Sequence, residues 1–497
     1  MSDIPASPRA AVHPGPDQSG PPSPAAFLSR HCHKILALAP LAFLIWVVAQ
    51  YAVDVPFWDQ WEFVPLLEKS YHGQLTFPDL WAQHNEHRIL FPKIIMLVLA
   101  HLTGWNIRCE LAVNIILALG IFAVFIHQVK ITGRKLGIAG LPRAIPAISL
   151  IVFSISQYQN WLWGWQLTMF LNLLAVVGGI VLLAGEPFRW SQFTAAALLG
   201  IVATFSFANG VLFWPIGLVI LLIVTTGARQ RIAAIAGWGL LGVLTVGACF
   251  YHYQKPEAHP SLGLIFKMPV EYASFVFKYI GGFCAQYVGG SNDADGDFAL
   301  VFGLAAIGAL GWAGRTLMRK RIVDARTLLP YFAMSLYSFG GALMTGVGRV
   351  GFGSNQAIYS RYCTMAAPLW VSLVVLLFLL RQGEDKTSKN NSAADGRREK
   401  PAHRGGKTIA DGLLIAAITV LLLGSVCAVD GVKDFSRLRA SGRTSLLNLA
   451  ANTGAEIDYD GLSLICHSPE VVVERYPFLM KHRLSLFQNW KAPSTPQ

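Results

Sequence analysis

Between the first apolar run of this chain and the rest of a very apolar sequence lies DVPFWDQWEFVPLLEKSYHGQLTFPDLWAQHNEHRILFPK, residues 54–93. Its chemistry-bearing side chains include six carboxylates (Asp54, Asp59, Glu62, Glu68, Asp79, Glu86), three histidines (His72, His84, His87) and Arg88. Charge at this density cannot lie in hydrocarbon, so the segment is a loop or a surface layer. Trp58, Trp61 and Trp81 are interleaved with the acids, and such rings favour a membrane–water interface. Partial desolvation among aromatic rings raises a carboxylate's pKa toward working pH, which suits a general base. Asp59, flanked by Trp58 and Trp61, is the first candidate. Glu62 is its rival. Three residues on, it would share a helical face with Asp59, and the two would raise each other's pKa. An ordinary acidic loop with belt tryptophans accounts for the same composition without a site.

Two further stretches carry chemistry. Arg349 and Arg361 bracket the glycine-rich GVGRVGFGSNQAIYSRY, residues 346–362. No strand precedes it, so a dinucleotide fingerprint does not apply. A glycine-rich turn can still offer backbone N–H groups to an anion, and a guanidinium pairs with phosphate in bidentate fashion. Snorkelling of Arg361 at the start of the next span is the competing explanation. QYQNWLWGWQ, residues 157–166, carries three tryptophans and three glutamines without charge. Trp163 and Gln166 in it suit a sugar face and its hydroxyls, and an interfacial belt explains the tryptophans equally. In SNDADGDF, Asp293, Asp295 and Asp297 have the spacing that opens a calcium loop, but no glutamate closes it, which leaves an acidic turn.

The elements that must position these residues are membrane helices. The chain has 497 residues, 54% hydrophobic and 14% charged, and such a composition belongs to an all-α polytopic membrane protein. Apolar runs predict eleven spans: 34–53, 109–128, 144–157, 167–184, 192–208, 211–227, 232–251, 299–314, 328–347, 364–380 and 409–429. The segment 89–105 is apolar but flanked by Arg88 and Lys93 and interrupted by His101, and it is expected to lie along the interface. An amphipathic helix around 265–283 is expected on the membrane surface. With the N-terminus inside, the cytoplasmic stretches hold 23 Lys and Arg against nine in the outer loops 54–108, 252–298 and 348–363. The net charge of +12 therefore follows the positive-inside rule and does not mark a nucleic-acid binder. Seven cysteines without a C-x-x-C pair indicate neither a zinc site nor a disulfide framework. Residues 1–33 read as a disordered cytoplasmic tail and 381–408 as a disordered cytoplasmic linker. Residues 34–380 form the transmembrane region, and 430–497 a small extracytoplasmic segment after the last span.

The order of features in the first loop resembles the GT-C class of membrane glycosyltransferases, near the protein mannosyltransferases and bacterial aminoarabinose transferases. There an Asp follows the first helix, then a His-Pro-Pro-Leu-type segment, a Gly, an Arg and the next helix. Asp59 falls on that Asp, His84 or His87 with Pro92 on the His-Pro element, and Arg108 on the Arg. Here Glu62 lies three residues after Asp59 instead of beside it, and His-Pro-Pro has become H-N-E-H-R-I-L-F-P. The resemblance implies an inner-membrane enzyme taking a sugar from a polyprenyl-phosphate donor on the outer face. It further implies Asp59 as base, Arg349, Arg361 and Arg88 on the phosphate, and His84, Glu86 and His87 orienting acceptor or base. No metal ligands are assigned, and enzymes of that class divide between those with and without a divalent metal. A transporter or flippase for a lipid-linked glycan, or a non-catalytic assembly subunit, would use the same charges differently. Transporters place charges within their spans, whereas here they cluster outside.

Overall fold

The computed structural model describes residues 24–256, 260–395, 404–451 and 456–491. Helices account for its ordered structure, and among the described residues there is no strand, only a two-residue bridge in the first loop. Helix α1 (Pro24–Tyr51) leads into the first loop, which holds α2 (Asp59–Tyr71), α3 (Phe77–Trp81) and α4 (Leu90–Thr103). Helices α5 (Ile107–Leu136), α6 (Ile145–Val152), α7 (Tyr158–Leu162), α8 (Leu167–Leu183), α9 (Trp190–Thr204), α10 (Phe213–Val224) and α11 (Ala228–Phe250) follow. A second group comprises α12 (Leu264–Lys267), α13 (Pro269–Ala285), α14 (Asn292–Arg319), α15 (Ala325–Arg349) and α16 (Cys363–Asp395). The chain closes with α17 (Arg404–Ala450), α18 (Tyr459–Ser463) and α19 (Pro469–Lys481).

Among the described residues seven helical segments, in α1, α5, α8, α11, α14, α16 and α17, are long and apolar enough to cross a bilayer. The protein is a multi-pass membrane protein. The other four expected spans coincide with helices that are shorter (α6, α9, α10) or more polar (α15, with Thr, Ser, Tyr and Pro330 along it). Residues 362–380 are buried without a break, and α16 packs against α6, α8, α13, α14, α15 and α17. On α1, by contrast, Ile35, Leu36, Leu38, Ile45 and Trp46 are exposed. An apolar face without protein cover must meet lipid. Helix α4 has 14 residues, about 21 Å at 1.5 Å per residue against a hydrocarbon core of about 30 Å, and α6, α9 and α10 are comparably short.

Three expectations need correction. The amphipathic helix expected on the membrane surface is α13, and its apolar face is covered by protein. Phe275, Val276, Tyr279, Ile280 and Phe283 are all buried, and α13 packs against α14, α15 and α16. A Cβ on Gly281 would lie 1.8 Å from the Ala299 carbonyl oxygen, and one on Gly303 2.0 Å from that of Phe277. Those two glycines let the backbones of α13 and α14 touch. A stripe of apolar residues has the same period whether lipid or another helix covers it. The second correction concerns the linker: 381–395 continues α16 and 404–408 opens α17, while 396–403 lie outside the described residues. A polar stretch with no proline between 381 and 395 lets a formed helix propagate past its buried part. Similarly, the tail expected over 1–33 is helical from Pro24, and residues 1–23 lie outside the described residues.

Candidate active site

The first loop begins with a held turn. Trp58 adopts φ 48°, ψ −114°, a region costing a bulky side chain about 1–3 kcal/mol unless its surroundings impose it. They do so from both sides. Its N–H donates to the Ile465 carbonyl at 2.7 Å, and the Phe57 carbonyl before it accepts from Trp163 Nε1 at 3.1 Å. The turn delivers Asp59 to the first position of α2. Below it α2 buries Gln60, Trp61, Phe63, Val64 and Leu67. Glu62 in the first turn and Lys69 in the last complement the helix dipole.

The sequence H-N-E-H makes the second wall. His84 and His87 exchange both backbone hydrogen bonds at 2.8 Å, with Asn85 left-handed at φ 47° between them. Asparagine tolerates that conformation better than most residues. This brings His84 Nε2 to 3.5 Å from Asp59 Oδ1, with the His84 ring 4.8 Å from that of Trp165. His87 stacks on Phe207 at 4.3 Å, and its Nδ1 accepts the Ala208 N–H at 3.1 Å. The neutral ring therefore carries its proton on Nε2, 3.8 Å from Glu86 Oε2. Burial pulls the His87 pKa down to about 4, so this ring is neutral at working pH.

The guanidinium groups arrive from the far end of the chain. Arg349 ends α15 and pairs with Glu86 Oε1 at 2.7 Å. Arg361 sits in the 3-10 turn Ser360–Tyr362, and its backbone is fixed by the side chains of Gln159 and Asn160. Its guanidinium lies 4.9 Å from the Tyr359 ring centre and 5.4 Å from that of Tyr362. Among the described residues it forms no ion pair within 4.0 Å. One cavity of about 160 Å³ is lined by Asp59, His84, Glu86, His87, Trp163, Gln166, Arg349 and Arg361 together, with Trp58, Trp165, Phe207 and Tyr362. Stretches some 300 residues apart thus meet on one polar space.

Two residues named from the sequence do not meet there. Glu62 turns away from the cavity; its side chain is 52% exposed and lies 3.4 Å from Arg475. It lines a neighbouring crevice with Lys69, Asp79 and Lys93. Three residues apart on α2, the Asp59 and Glu62 side chains diverge because Asp59 follows the turn and Glu62 follows Arg475. Arg88 is buried at 6% exposure. Its guanidinium donates to the carbonyls of Cys249 and Trp81 at 2.7 Å each, and to that of Tyr251. Those bonds leave it a staple between the first loop and the end of α11. Arg108 likewise reaches back to the Ala52 carbonyl at 3.4 Å.

The direction of the Asp59 pKa also differs from the sequence reading. Burial does push it up, but the hydrogen bond and charge of His84, with the charge of Arg361, outweigh that push and hold it below the ordinary carboxylate value. The carboxylate is ionised at any working pH. The glycines of 346–362 do not form an anion nest. Gly346 packs where a Cβ would meet Tyr272 at 2.8 Å, Gly351 where one would meet Pro260 at 2.5 Å, and the Gly353 N–H donates to the Val350 carbonyl. Asp295 accepts the Tyr287 and Gly289 N–H groups at 3.1 and 2.6 Å, tying the start of α14 to the turn before it. Among the described residues no three His, Cys, Asp or Glu side chains gather in metal-binding reach.

Sequence reasoning missed the C-terminal segment as the support that holds the first loop in place. Arg439 of α17 is fully buried and donates to the carbonyls of Val53 and Val55 at 2.8 and 3.1 Å, and to that of Leu162. Arg475 of α19 donates to the Trp61 carbonyl at 2.7 Å, and Ser485 Oγ to Asp54 at 3.1 Å. The signal available was the run of basic residues in a segment expected outside, where the positive-inside rule makes them unexpected.

Fold and site together define a multi-pass, all-helical membrane protein with a cavity of two arginines and two carboxylates beside its first long loop. No family model matches the sequence, and no curated protein does. Among solved structures the chain is similar to the crystal structure of ArnT from Cupriavidus metallidurans bound to undecaprenyl phosphate. The TM-score is 0.45 at 12% identity, covering 92% of this chain and 90% of that one.

Proposed function

We propose that this protein is a membrane glycosyltransferase that moves a sugar from a polyprenyl-phosphate-linked donor to a hydroxyl acceptor on the extracytoplasmic face of the inner membrane. The observation that carries the reading is the meeting of Asp59 with Arg349 and Arg361 on one cavity. Asp59 accepts the proton of the acceptor hydroxyl as its oxygen bonds to the anomeric carbon. The bond from that carbon to the phosphate oxygen breaks, and its electron pair leaves with the phosphate. Arg361, held on tyrosine faces, and Arg349 receive the developing charge where desolvation strengthens the attraction. His84, 3.5 Å from Asp59, aims the carboxylate and carries the proton on when the product departs. Trp163, Trp165 and Gln166 offer ring faces and an amide to the sugar.

The test begins with the lipids of a deletion strain, in which a polyprenyl-phosphate-linked sugar should accumulate. Purified protein should then turn over that lipid. Arg361→Ala and Arg349→Ala should weaken binding of undecaprenyl phosphate by about 10-fold or more, since each removes a charge-assisted contact of about 1.5–3 kcal/mol. Lysine at either position should restore only part of it, because the planar fork is lost. A deletion strain with an unaltered lipid-linked sugar pool, or arginine variants with undiminished phosphate affinity, would reject the reading.

A further inference from the structure

Behind the Asp59 turn lies a buried carboxylate that the proposed transfer step leaves unused. Gln60 directly follows Asp59 and is 1% exposed. Its Oε1 accepts the Phe57 N–H at 3.1 Å, and its Nε2 donates to Glu110 Oε2 at 2.6 Å. Glu110, on the first turn of α5, is also 1% exposed, and its Oε1 accepts from Trp105 Nε1 at 2.9 Å. Neither Gln60 nor Glu110 lines the cavity. The charged groups that act on Glu110 are Asp54 and Arg439, and Arg439 spends its bonds on backbone carbonyls.

Burying a carboxylate is a poor way to add stability, since a well-packed apolar side chain does as well or better. What a carboxylate supplies is two acceptors in one plane, at fixed directions. Here those acceptors orient an amide, and the amide orients the first peptide of the Phe57–Asp59 turn. With the Phe57 carbonyl held by Trp163 and the Trp58 N–H held by Ile465, each polar end of the strained turn is fixed. Gly164 belongs to the same device. A Cβ there would sit 2.0 Å from Glu110 Oε2 and 2.7 Å from Glu110 Cβ, so only glycine leaves the carboxylate in place beside Trp165.

We infer that Gln60 and Glu110 are positioning residues that hold the left-handed Trp58 turn, and so aim the Asp59 carboxylate at His84 and the cavity. The inference rests on the reading of Asp59 as the base, and its test separates the two. Exchanging the pair is the decisive experiment. Gln60→Glu sets two carboxylates face to face, so one proton must be shared. Turnover of the lipid-linked sugar from the deletion strain should fall about 10²-fold at neutral pH, the scale of a misplacement of about 1 Å. It should recover in part on acidification from about pH 8 to about pH 6, as the pair takes up its proton. Glu110→Gln strands one N–H, that of Trp105 or that of Gln60, and should also lower turnover. The double variant Gln60→Glu/Glu110→Gln rebuilds every bond in reverse. The carboxylate at 60 accepts from Phe57 and from the amide at 110, whose carbonyl accepts from Trp105. Its turnover should return toward that of the wild type, and undecaprenyl phosphate affinity should stay constant throughout.

Gly164→Ala should imitate the single variants. A double variant no better than the worse single one, or one that fails to fold, overturns the inference, as do single variants with full turnover. Should the wild type show no transfer, the base reading falls and structures decide the inference alone. The Asp59 Oδ1–His84 Nε2 separation, 3.5 Å here, must lengthen in Gln60→Glu and return in the double variant; an unchanged separation rejects it.

Discussion

Asp59 and Glu62 lie one helical turn apart and lead different lives. Asp59 faces a histidine and two arginines across a cavity, while Glu62 sits half in solvent beside Arg475. Asp59→Asn keeps shape and removes the base, and should lower turnover about 10²–10⁴-fold with undecaprenyl phosphate affinity unchanged. Glu62→Gln should cost little turnover. Single-turnover kinetics on the two variants check the assignment, and the reverse ranking would move the base to Glu62. His87 supplies a pH test. Burial drops its pKa from 6.5 to about 4, so between those values the unfolded chain binds a proton that the folded chain refuses. Stability from this group is therefore fully present above about pH 6.5 and declines as pH falls toward about 4. His87→Asn keeps an acceptor for the Ala208 N–H and should flatten that part of the stability–pH curve, measured by thermal unfolding in detergent. An unchanged slope would show that other groups set it.

At the scale of elements, the site is a turn, a two-histidine bridge and a 3-10 segment, each short and each held from outside. The 354–362 segment is stitched to 156–160 by Ser360 Oγ on the Ser156 carbonyl at 2.8 Å and by Asn160 on the Arg361 carbonyl at 2.8 Å. Lys278 of α13 reaches Asn355 at 2.6 Å. The first loop is gripped by α17 and α19. Arg439→Met should leave the carbonyls of Val53, Val55 and Leu162 without their donor. We expect a loss of at least about 3 kcal/mol, read by chemical unfolding in mixed micelles, together with faster proteolysis of the first loop. Equal stability and equal protection would mean that the C-terminal helices rest on the loop without holding it.

Across the whole molecule, the cavity residues collect at one end of a bundle in which residues 362–380 of α16 and the turn before it are buried. Its apolar outer faces on α1 and α17 are open to lipid. From the asymmetry of Lys and Arg we propose that the bundle is oriented with the site outside. Reporter fusions at Gly133 and Gly140 should therefore read cytoplasmic, and fusions at Asn292 and Asp458 periplasmic. Helix α4, with 14 residues, should not change the count of crossings. A periplasmic signal at Gly133 would mean that it does, and would put the loops after α5 that carry Arg349 and Arg361 on the face opposite Asp59.

Much of this was already determined by composition and period. Runs of about twenty apolar residues specify membrane helices because backbone polar groups have no partner in lipid except each other. Charge excluded from those runs has to gather in loops, which is why Asp59, the H-N-E-H histidines, Arg349 and Arg361 could be named from the chain alone. What the sequence could not decide was direction and partner. Whether α13 faced lipid or α14, whether Arg88 bound a ligand or three carbonyls, and whether Asp59 or Glu62 faced the cavity depended on contacts between distant residues. Arg349 meets Glu86 across 263 positions, and Arg439 meets Val53 across 386. The sign of the Asp59 shift followed the same rule. Aromatic neighbours in sequence argued for desolvation, but a pKa is set by the charges nearest in space, and His84 and Arg361 arrive there only through the fold.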